Sequence, residues 1–368
     1  MKFNVLKSLS LILLSAILWT SCSDDNPSPN VLPGTDGFFI VNEGAFGNAN
    51  ASLSYFDKET EKVTNDLFYD TNNEKPLGDQ AQSMAVFNDK GYIVVQNSAK
   101  VEVISLLEED LYTNTATIDT EDGIASPRYF LGINENKAYI SDWGADGVSG
   151  TIQVLDLSTN KITKSISVGQ GTNRMILVGT KVYAANSGGW GYDNTIAIID
   201  THTDEKTGAI TVGDNPNSLV ADNKGNIWVA SSGSTAYNAD WSIDLENSTA
   251  ASLSKINTDD EVEFSLAMSE KSYGASSIQI NQASTQLYFK YHDGIYTLPT
   301  DATEDTKKIT RVIEVAMYGF SIDPSTDDFL VFVAPDFSSA GQMARYNADG
   351  SKLDEFEVGI GPNSAAFN

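Results

Sequence analysis

The stretch PNSLVADNKGNIWVAS, residues 216–231, contains two short apolar strands joined by a turn of Asn, Lys and Gly. The preceding stretch NRMILVGTKVYAAN, residues 173–186, has the same organisation. After a loop it is followed by TIAIID, residues 195–200, and AITVG, residues 209–213. Short runs rich in β-branched and aromatic residues, bounded by turn formers, are typical of strands. Four such strands make one repeat unit.

The aromatic residue of the second strand recurs along the chain at intervals of about 40 to 60 residues. Its positions are Tyr92, Tyr139, Tyr183, Trp228, Tyr288 and Phe329. The innermost strands are predicted near Met84, Phe130, Met175, Leu219, Ile278, Phe320 and Ala365. The longest interval contains an insertion from Ser232 to Ser252. This repeat predicts an all-β fold, a seven-bladed β-propeller with four-stranded blades.

The two ends of the repeat region complement each other. Residues 37–42, GFFIVN, form a second strand without a first, and residues 359–368, GIGPNSAAFN, form a first strand without a second. If these N- and C-terminal strands share one blade, the ring closes and two exposed sheet edges disappear. We therefore expect residues 37–368 to form a single β-propeller domain, rather than an open β-solenoid or two sandwiches.

Residues 1–21 have the features of a signal peptide. Lys2 and Lys7 precede an apolar run that is too short to span a bilayer. Cys22, the only cysteine of the chain, follows it. The run LWTSC, residues 18–22, resembles a bacterial lipoprotein signal, which implies lipidation of Cys22. An ordinary secretory signal with an incidental cysteine is the alternative.

The residues after the cysteine carry a second signal. Ser23-Asp24-Asp25 resembles the acidic motif that directs Bacteroides-type lipoproteins to the outer face of the outer membrane. Residues 22–36 are polar and rich in proline, which is typical of a flexible tether. We therefore expect a protein that is lipid-anchored in the outer membrane and faces the cell exterior.

The composition argues against one class of partner. The chain has 23 basic and 50 acidic residues, and its formal net charge is −27 at pH 7. A phosphate backbone would be repelled, so we expect no nucleic-acid binding. The acidity favours solubility, and it is also compatible with a binding face for a ligand rich in hydrogen-bond donors.

The loops of a propeller lie on two faces because consecutive strands alternate in direction. Loops after first and third strands, which form what we call the turn face, contain turn formers and charges. Loops after second and fourth strands, which form the loop face, contain aromatic residues beside glycine and aspartate, a composition typical of binding surfaces. Rings that pack on each other to stiffen the loops are the alternative. The candidate ligand-binding residues are Phe46, Arg128, Asp142, Trp143, Arg174, Trp190, Tyr192, Tyr237, Trp241, Tyr291, His292 and Tyr318.

The residues that begin the seven innermost strands are expected to point at the channel mouth: Gln82, Arg128, Arg174, Asn217, Ser276, Tyr318 and Asn363. Arg128 and Arg174 are the two cations among them. They would donate to an anion or a carbonyl of a ligand, or form internal ion pairs between blades. Asp142 and Asp146 would help to hold calcium, or are solvated loop acids.

The residue inventory does not favour an enzyme. The chain has two histidines, His202 in a turn and His292 on the loop face, too few for a catalytic zinc or copper site of the usual kind. A Ser-His-Asp triad would have His292 as its only candidate base, and no nucleophile-elbow motif is present. We expect a binding protein without catalytic residues, metal or required cofactor.

Two resemblances refine these expectations. VYAAN, residues 182–186, and IQVLD, residues 152–156, resemble the YVTN-type repeats of YncE-like propellers, which identify the fold better than the function. FIVNEG, residues 39–44, followed by NASLSYF, residues 50–56, resembles the opening of BtuG-type surface lipoproteins of gut Bacteroides.

The BtuG-type resemblance implies a role in vitamin B12 transport. It implies that the protein captures cobalamin as a bound ligand and passes it to an outer-membrane TonB-dependent transporter. The candidate residues above come from physical reasoning and not from this resemblance. A glycan- or protein-binding accessory of another surface uptake complex is the alternative, because aromatic and aspartate side chains suit sugars as well as corrins.

Overall fold

A computed structural model describes residues 36–367. The predicted signal peptide, the lipidation site Cys22 and almost all of the predicted tether lie outside the described residues. The described chain contains thirty strands, one short helix α1 (Leu67–Thr71) and two 3-10 turns. None of its helices is both long enough and apolar enough to cross a membrane.

Seven four-stranded antiparallel sheets form the blades of a seven-bladed β-propeller, as the repeat predicted. The strands in chain order are β1 (Gly37–Asn42), β2 (Ser52–Asp57), β3 (Lys62–Thr64), β4 (Ala81–Phe87), β5 (Lys90–Val95), β6 (Lys100–Ser105), β7 (Asn114–Ile118), β8 (Pro127–Asn134), β9 (Lys137–Asp142), β10 (Ser149–Asp156), β11 (Lys161–Gln170), β12 (Thr172–Val178), β13 (Lys181–Asn186), β14 (Thr195–Asp200), β15 (Glu205–Thr211), β16 (Pro216–Ala221), β17 (Ile227–Ser231), β18 (Ala236–Tyr237), β19 (Ile243–Asp244), β20 (Ser252–Ile256), β21 (Val262–Ala267), β22 (Ser276–Ile280), β23 (Gln286–Tyr291), β24 (Gly294–Pro299), β25 (Thr310–Glu314), β26 (Gly319–Ile322), β27 (Phe329–Val333), β28 (Gly341–Tyr346), β29 (Lys352–Val358) and β30 (Pro362–Phe367).

Blade 1 combines β30, β1, β2 and β3, and blades 2 to 4 are β4–β7, β8–β11 and β12–β15. Blade 5 is β16, β17, β20 and β21, and blades 6 and 7 are β22–β25 and β26–β29. The innermost strands β4, β8, β12, β16, β22, β26 and β30 each contact the next, and β30 contacts β4, which closes the ring.

The core lies between the blades. Seven apolar clusters fill the seven interfaces between neighbouring blades. The middle strands are covered on both faces, so they read as continuous apolar runs, and every residue of β1 is buried. The recurrent aromatics lie in these interfaces. Tyr92 on β5, for example, stacks on Phe130 of β8 with 3.9 Å between ring centroids.

The ring closes in blade 1 as predicted. Strand β1 pairs with β30 in antiparallel register, with Phe38 opposite Phe367 and Val41 opposite Ser364. The insertion in blade 5 contains the small hairpin β18–β19, which the sequence did not predict.

Candidate functional site

Three aromatic side chains stand out from the loop face. Phe46 is 72% exposed, Trp190 is 81% exposed and Trp241 is 83% exposed, the largest values among the large apolar residues described. They belong to the loops that follow the second strands of blades 1, 4 and 5. Large rings are usually buried because each removes much apolar surface from water. Holding three of them in solvent on one face is typical of a binding surface.

The backbone presents some of these groups at a conformational cost. Trp241, His292 and Phe337 have φ values of 67°, 50° and 52°, a region that bulky residues rarely occupy. All three lie in loops of the loop face. Strained conformations of this kind collect at ligand sites, where the surrounding structure fixes a side chain in place.

A cavity of about 460 Å³ gathers four predicted residues: Phe46, Arg128, Trp143 and Trp190. They come from blades 1, 3 and 4. Side-chain amides of Gln80, Gln96 and Asn97, from blade 2 and the loops at its ends, complete the polar part of the lining. We call this space the aromatic cavity.

The loop that carries Trp190 depends on close backbone contacts. The Trp190 N–H donates to the carbonyl of Gly147 at 3.0 Å. Gly189 has a φ of 58°, and a Cβ added there would lie 2.2 Å from the Gly147 carbonyl oxygen. Only glycine fits this position, and the contact holds Trp190 beside the neighbouring blade.

Arg128 lies over an indole ring. Its guanidinium lies 4.0 Å from the ring centroid of Trp143, a cation–π contact. It donates to Oε1 of Gln96 and, at 3.4 Å, to Oδ1 of Asn173. Burial lowers the pKa of Arg128. Electrostatic interactions with Tyr129, Glu43 and Tyr318 oppose this effect. It forms no ion pair with any residue of the described range, so the predicted alternative of an internal ion pair is not what the structure shows.

A second cavity of about 220 Å³ occupies the channel mouth, where the innermost strands begin. Six of the seven residues expected there line it: Gln82, Arg174, Asn217, Ser276, Tyr318 and Asn363. The seventh, Arg128, lines the aromatic cavity instead. The channel-mouth cavity is therefore polar and receives side chains from all around the ring.

Sequence reasoning did not identify Glu43, which also lines the channel mouth. Its carboxylate accepts hydrogen bonds from Tyr318 Oη at 2.7 Å and from Asn363 Nδ2 at 3.0 Å. Burial, followed by the charge of Glu43, raises the pKa of Tyr318. The phenol therefore stays protonated and donates to the carboxylate.

A third cavity of about 330 Å³ lies beside the hairpin of β23 and β24. His292 contacts Asp293, with 3.1 Å between Nδ1 and Oδ1. Its ring packs edge-on against that of Tyr273, with 3.9 Å between ring centroids. Lys290, also missed by sequence reasoning, lines the same cavity. Its Nζ donates to the carbonyl of Tyr318 at 2.8 Å, and burial lowers its pKa.

The remaining predicted aromatics lie elsewhere on the loop face. Tyr237 and Trp241 pair on the insertion, with 6.5 Å between ring centroids. Tyr192 donates its hydroxyl to Asp214 in the next loop, which fixes its direction. None of these three residues lines the aromatic cavity.

Two predicted contact residues, Asp142 and Tyr291, are buried in the structure. Asp142 is 1% exposed, and its carboxylate accepts from the backbone N–H groups of Ala125, Ser126 and Gly144 at 2.7 to 2.9 Å. Tyr291 is 4% exposed and packs in the apolar cluster between blades 5 and 6. The Asp142 carboxylate therefore holds neighbouring backbone segments in place, and the Tyr291 ring contributes to the interblade core.

The calcium alternative for Asp142 and Asp146 receives no support from the geometry. Hydrogen bonds from the side chain and backbone of Ser149 and from the backbone of Val148 lower the pKa of Asp146 to about 2. Its oxygens therefore cap their own loop. In the described part of the chain, no three acidic, histidine or cysteine side chains are grouped to hold a metal ion.

Comparison with known proteins identifies the fold class independently. A family model described as "Domain of unknown function (DUF5074)" matches residues 36–360. Among solved structures, the chain is similar to a periplasmic gluconolactonase of Pseudomonas aeruginosa, with 12% identity, 89% of this chain and 98% of that chain covered, and a TM-score of 0.61. It is also similar to a proposed 6-phosphogluconolactonase of Bacteroides fragilis, with 16% identity, coverages of 92% and 99%, and a TM-score of 0.61.

A quinoprotein alcohol dehydrogenase-like protein of Bacteroides thetaiotaomicron gives 14% identity, coverages of 90% and 78%, and a TM-score of 0.62. At these identities the likeness shows the fold alone, a propeller with neighbours of the 6-phosphogluconolactonase and YncE-like type. No curated protein matches the sequence.

Proposed function

This chain belongs to the DUF5074 family, and from its loop face we propose a function for it. We propose that it is a binding protein that captures cobalamin on this face. The bound cobalamin would then pass to an outer-membrane TonB-dependent transporter. The observation that carries the proposal is the aromatic cavity, where Phe46, Trp143 and Trp190 from three blades meet Arg128.

The chemistry of this surface suits a corrin. Cobalamin is broad and flat, with apolar faces and an edge of amide groups. Exposed rings such as Trp190 and Phe46 offer apolar area at a small cost in conformational entropy, because each side chain has only two rotatable angles. The amides of Gln80, Gln96 and Asn97 can both donate to and accept from the ligand's amides.

The affinity that capture requires is within reach of such a site. Scavenging a dilute ligand calls for about nanomolar affinity, near −12 kcal/mol. A few aromatic anchors at the centre of a preorganised surface commonly supply most of such an affinity. The short backbone contacts that hold Trp190 provide this preorganisation.

Calorimetry with cyanocobalamin tests the proposal. We expect tight binding by the wild type and a loss of about 30-fold or more for Trp190→Ala, the usual effect of removing a central anchor. Leu353→Ala is the matched control, because Leu353 is also an exposed apolar residue but lies on the outermost strand β29. If the wild type does not bind cyanocobalamin, or if both variants bind it equally well, the proposal fails.

One observation favours a second candidate, a glycan- or protein-binding accessory role. Tyr237 and Trp241 stand together on the insertion hairpin, 58% and 83% exposed, away from the aromatic cavity. Paired exposed rings of this kind suit the apolar face of a sugar. A glycan array screened with the wild type and with Trp241→Ala would support this role if binding depends on Trp241 and cyanocobalamin gives no heat.

A further inference from the structure

We propose that the channel mouth contains an oxyanion-binding subsite, formed by Arg174 with Arg128 and Lys290 beside it, that receives a phosphate or carboxylate group. The inference rests on the proposed binding function of the loop face. It adds that the bound ligand carries a negatively charged group. Inorganic phosphate and acetate, used as probes, distinguish the two sources of such a group.

Arg174 is the central observation. Its guanidinium lines the channel-mouth cavity and stacks on the ring of Tyr129, with 4.7 Å to the ring centroid. It makes no hydrogen bond and no ion pair with any other residue between 36 and 367. Five N–H donors are therefore left for a ligand or for water. The contact with the Tyr129 ring restrains the guanidinium of Arg174. A restrained planar guanidinium favours bidentate recognition of an oxyanion.

Two further cations are one hydrogen bond away from the lining of this cavity. Arg128 donates to Asn173, which lines the channel-mouth cavity, and Lys290 donates to the carbonyl of Tyr318, which also lines it. Neither cation forms an ion pair within residues 36–367. Burial lowers the pKa of both, so their positive charges are only partly solvated. An anion bound at Arg174 would be attracted directly by this side chain and over a longer distance by the other two cations.

The charge of the surroundings makes this grouping unusual. The chain as a whole has a net charge of −27, yet only one carboxylate of the described residues, that of Glu43, lines this cavity. Arg174 lines it as well, and Arg128 and Lys290 are each hydrogen-bonded to a residue of its lining. The Glu43 carboxylate already accepts from Tyr318 and Asn363. Side-chain amides of Gln82, Asn173 and Asn217 also line the cavity. Each donates one hydrogen bond to another residue and has a second N–H for a ligand. Excess donors and positive charge in a concave polar site favour an oxyanion over a cation or an apolar group.

Titration with inorganic phosphate at constant ionic strength tests the subsite directly. Tryptophan fluorescence is a suitable readout because Trp143 contacts Arg128, and calorimetry provides a second one. We expect saturable binding by the wild type and a loss of about tenfold or more for Arg174→Met. Lys224→Met is the matched control, because it removes one positive charge from an exposed turn on the turn face. It should bind phosphate like the wild type.

Arg174→Lys separates recognition from folding. It keeps the charge but not the planar fork, so it should fold normally and retain part of the phosphate affinity. Tighter binding of phosphate than of acetate would indicate a phosphate-bearing ligand, and the reverse order a carboxylate. If the wild type shows no saturable binding of either anion, or if Arg174→Met and Lys224→Met behave alike, the inference is wrong.

The outcomes also separate this inference from the proposed function. Binding of cyanocobalamin without binding of phosphate or acetate would overturn the subsite and leave the capture function standing. Binding of phosphate that depends on Arg174, without binding of cyanocobalamin, would support the subsite and remove cobalamin as the ligand.

Discussion

Glu102 is a fully buried acid in a chain that already carries a large negative charge. It lies on β6 and contacts Lys75 Nζ at 2.9 Å, Lys100 Nζ at 2.6 Å and the hydroxyl of Thr117 at 2.6 Å. Burial alone would raise the pKa of Glu102. Hydrogen bonds from Lys100, Thr117 and Lys75 outweigh burial and lower it.

Replacing Glu102 with Gln keeps its size but leaves Lys75 and Lys100 without their carboxylate. We expect the free energy of unfolding to fall by about 3 kcal/mol at pH 7. Because the folded-state pKa lies below the unfolded one, this stabilisation is present above the unfolded pKa and is lost as the pH falls through the folded pKa. Urea unfolding at decreasing pH should show wild type and variant converging.

Glu357→Gln is the control for this prediction, because it is the same chemical change at an exposed position of β29. Glu357 forms no ion pair in the described structure. It should change the unfolding free energy by less than about 0.5 kcal/mol. Equal stability of Glu102→Gln and wild type at pH 7 would contradict the account of the buried acid.

Sequence predicted single residues unevenly, because burial decides their roles. The glycine-flanked rings of Phe46 and Trp190 are exposed as the loop composition indicated. Asp142 and Tyr291, predicted from the composition of the same face, are instead the last residues of β9 and β23 and are buried. Lys290 had a usable signal, a lysine inside the apolar run LYFKY of β23.

At the scale of the elements, two interblade clusters repeat the same contacts on successive second strands. Tyr139 and Lys137 of β9 both donate to Asp204 of the next blade. One blade further on, Tyr183 and Lys181 of β13 both donate to Asp260, at 2.5 and 2.6 Å. Each aspartate lies in the turn between the third and fourth strands of its blade.

Replacing Tyr183 with Phe tests these clusters. It removes a hydrogen bond to a charged group, so the free energy of unfolding should fall by about 2 kcal/mol at pH 8. Burial and then Asp260 raise the pKa of Tyr183. Its stabilisation is therefore complete below the unfolded pKa, near 10, and is lost as the pH rises through the folded pKa. Between pH 8 and pH 11, the free energy of unfolding should therefore fall less for the variant than for wild type, as urea unfolding at the two pH values would show.

Tyr69→Phe provides the comparison, because Tyr69 is 43% exposed on α1 and no hydrogen bond of its hydroxyl occurs within the described chain. Its stability and alkaline pH dependence should match those of wild type. If Tyr183→Phe behaves in the same way, the clusters contribute nothing measurable to the contact between blades.

The sequence predicted the elements well where periodicity exists and poorly where it does not. Strands with buried β-branched and aromatic residues recur with the blade, so the second-strand aromatics of blades 2 to 7 were found. The hairpin β18–β19 has two residues in each strand and no apolar alternation. Hydrogen bonds such as Asn238 N–H to Ser242 O fix it, and these depend on geometry that the sequence does not display.

At the scale of the whole molecule, ring closure in blade 1 links the two ends of the domain. Strand β30 covers β1, and its residues also contact β4 of blade 2 and β26 of blade 7. Removing β30 would therefore open one sheet and uncover two interblade interfaces, including the cluster that contains Phe38, Ile40 and Phe332. An open propeller also exposes an edge of unpaired backbone groups.

A chain that ends after β29, at residue 358, tests this role of β30. We expect it to lose cooperative unfolding at 25 °C, because it leaves blade 1 incomplete and uncovers two interblade interfaces in a domain that is typically stable by only about 5–15 kcal/mol. The control is a circular permutant that joins Phe367 to Gly37 by a short turn and opens the chain in the exposed turn at residues 347–351. Phe38 and Phe367 are paired neighbours, so this connection needs little rearrangement. The permutant should unfold cooperatively in urea, followed by circular dichroism. A truncated chain as stable as the permutant would show that β30 does not hold the ring closed.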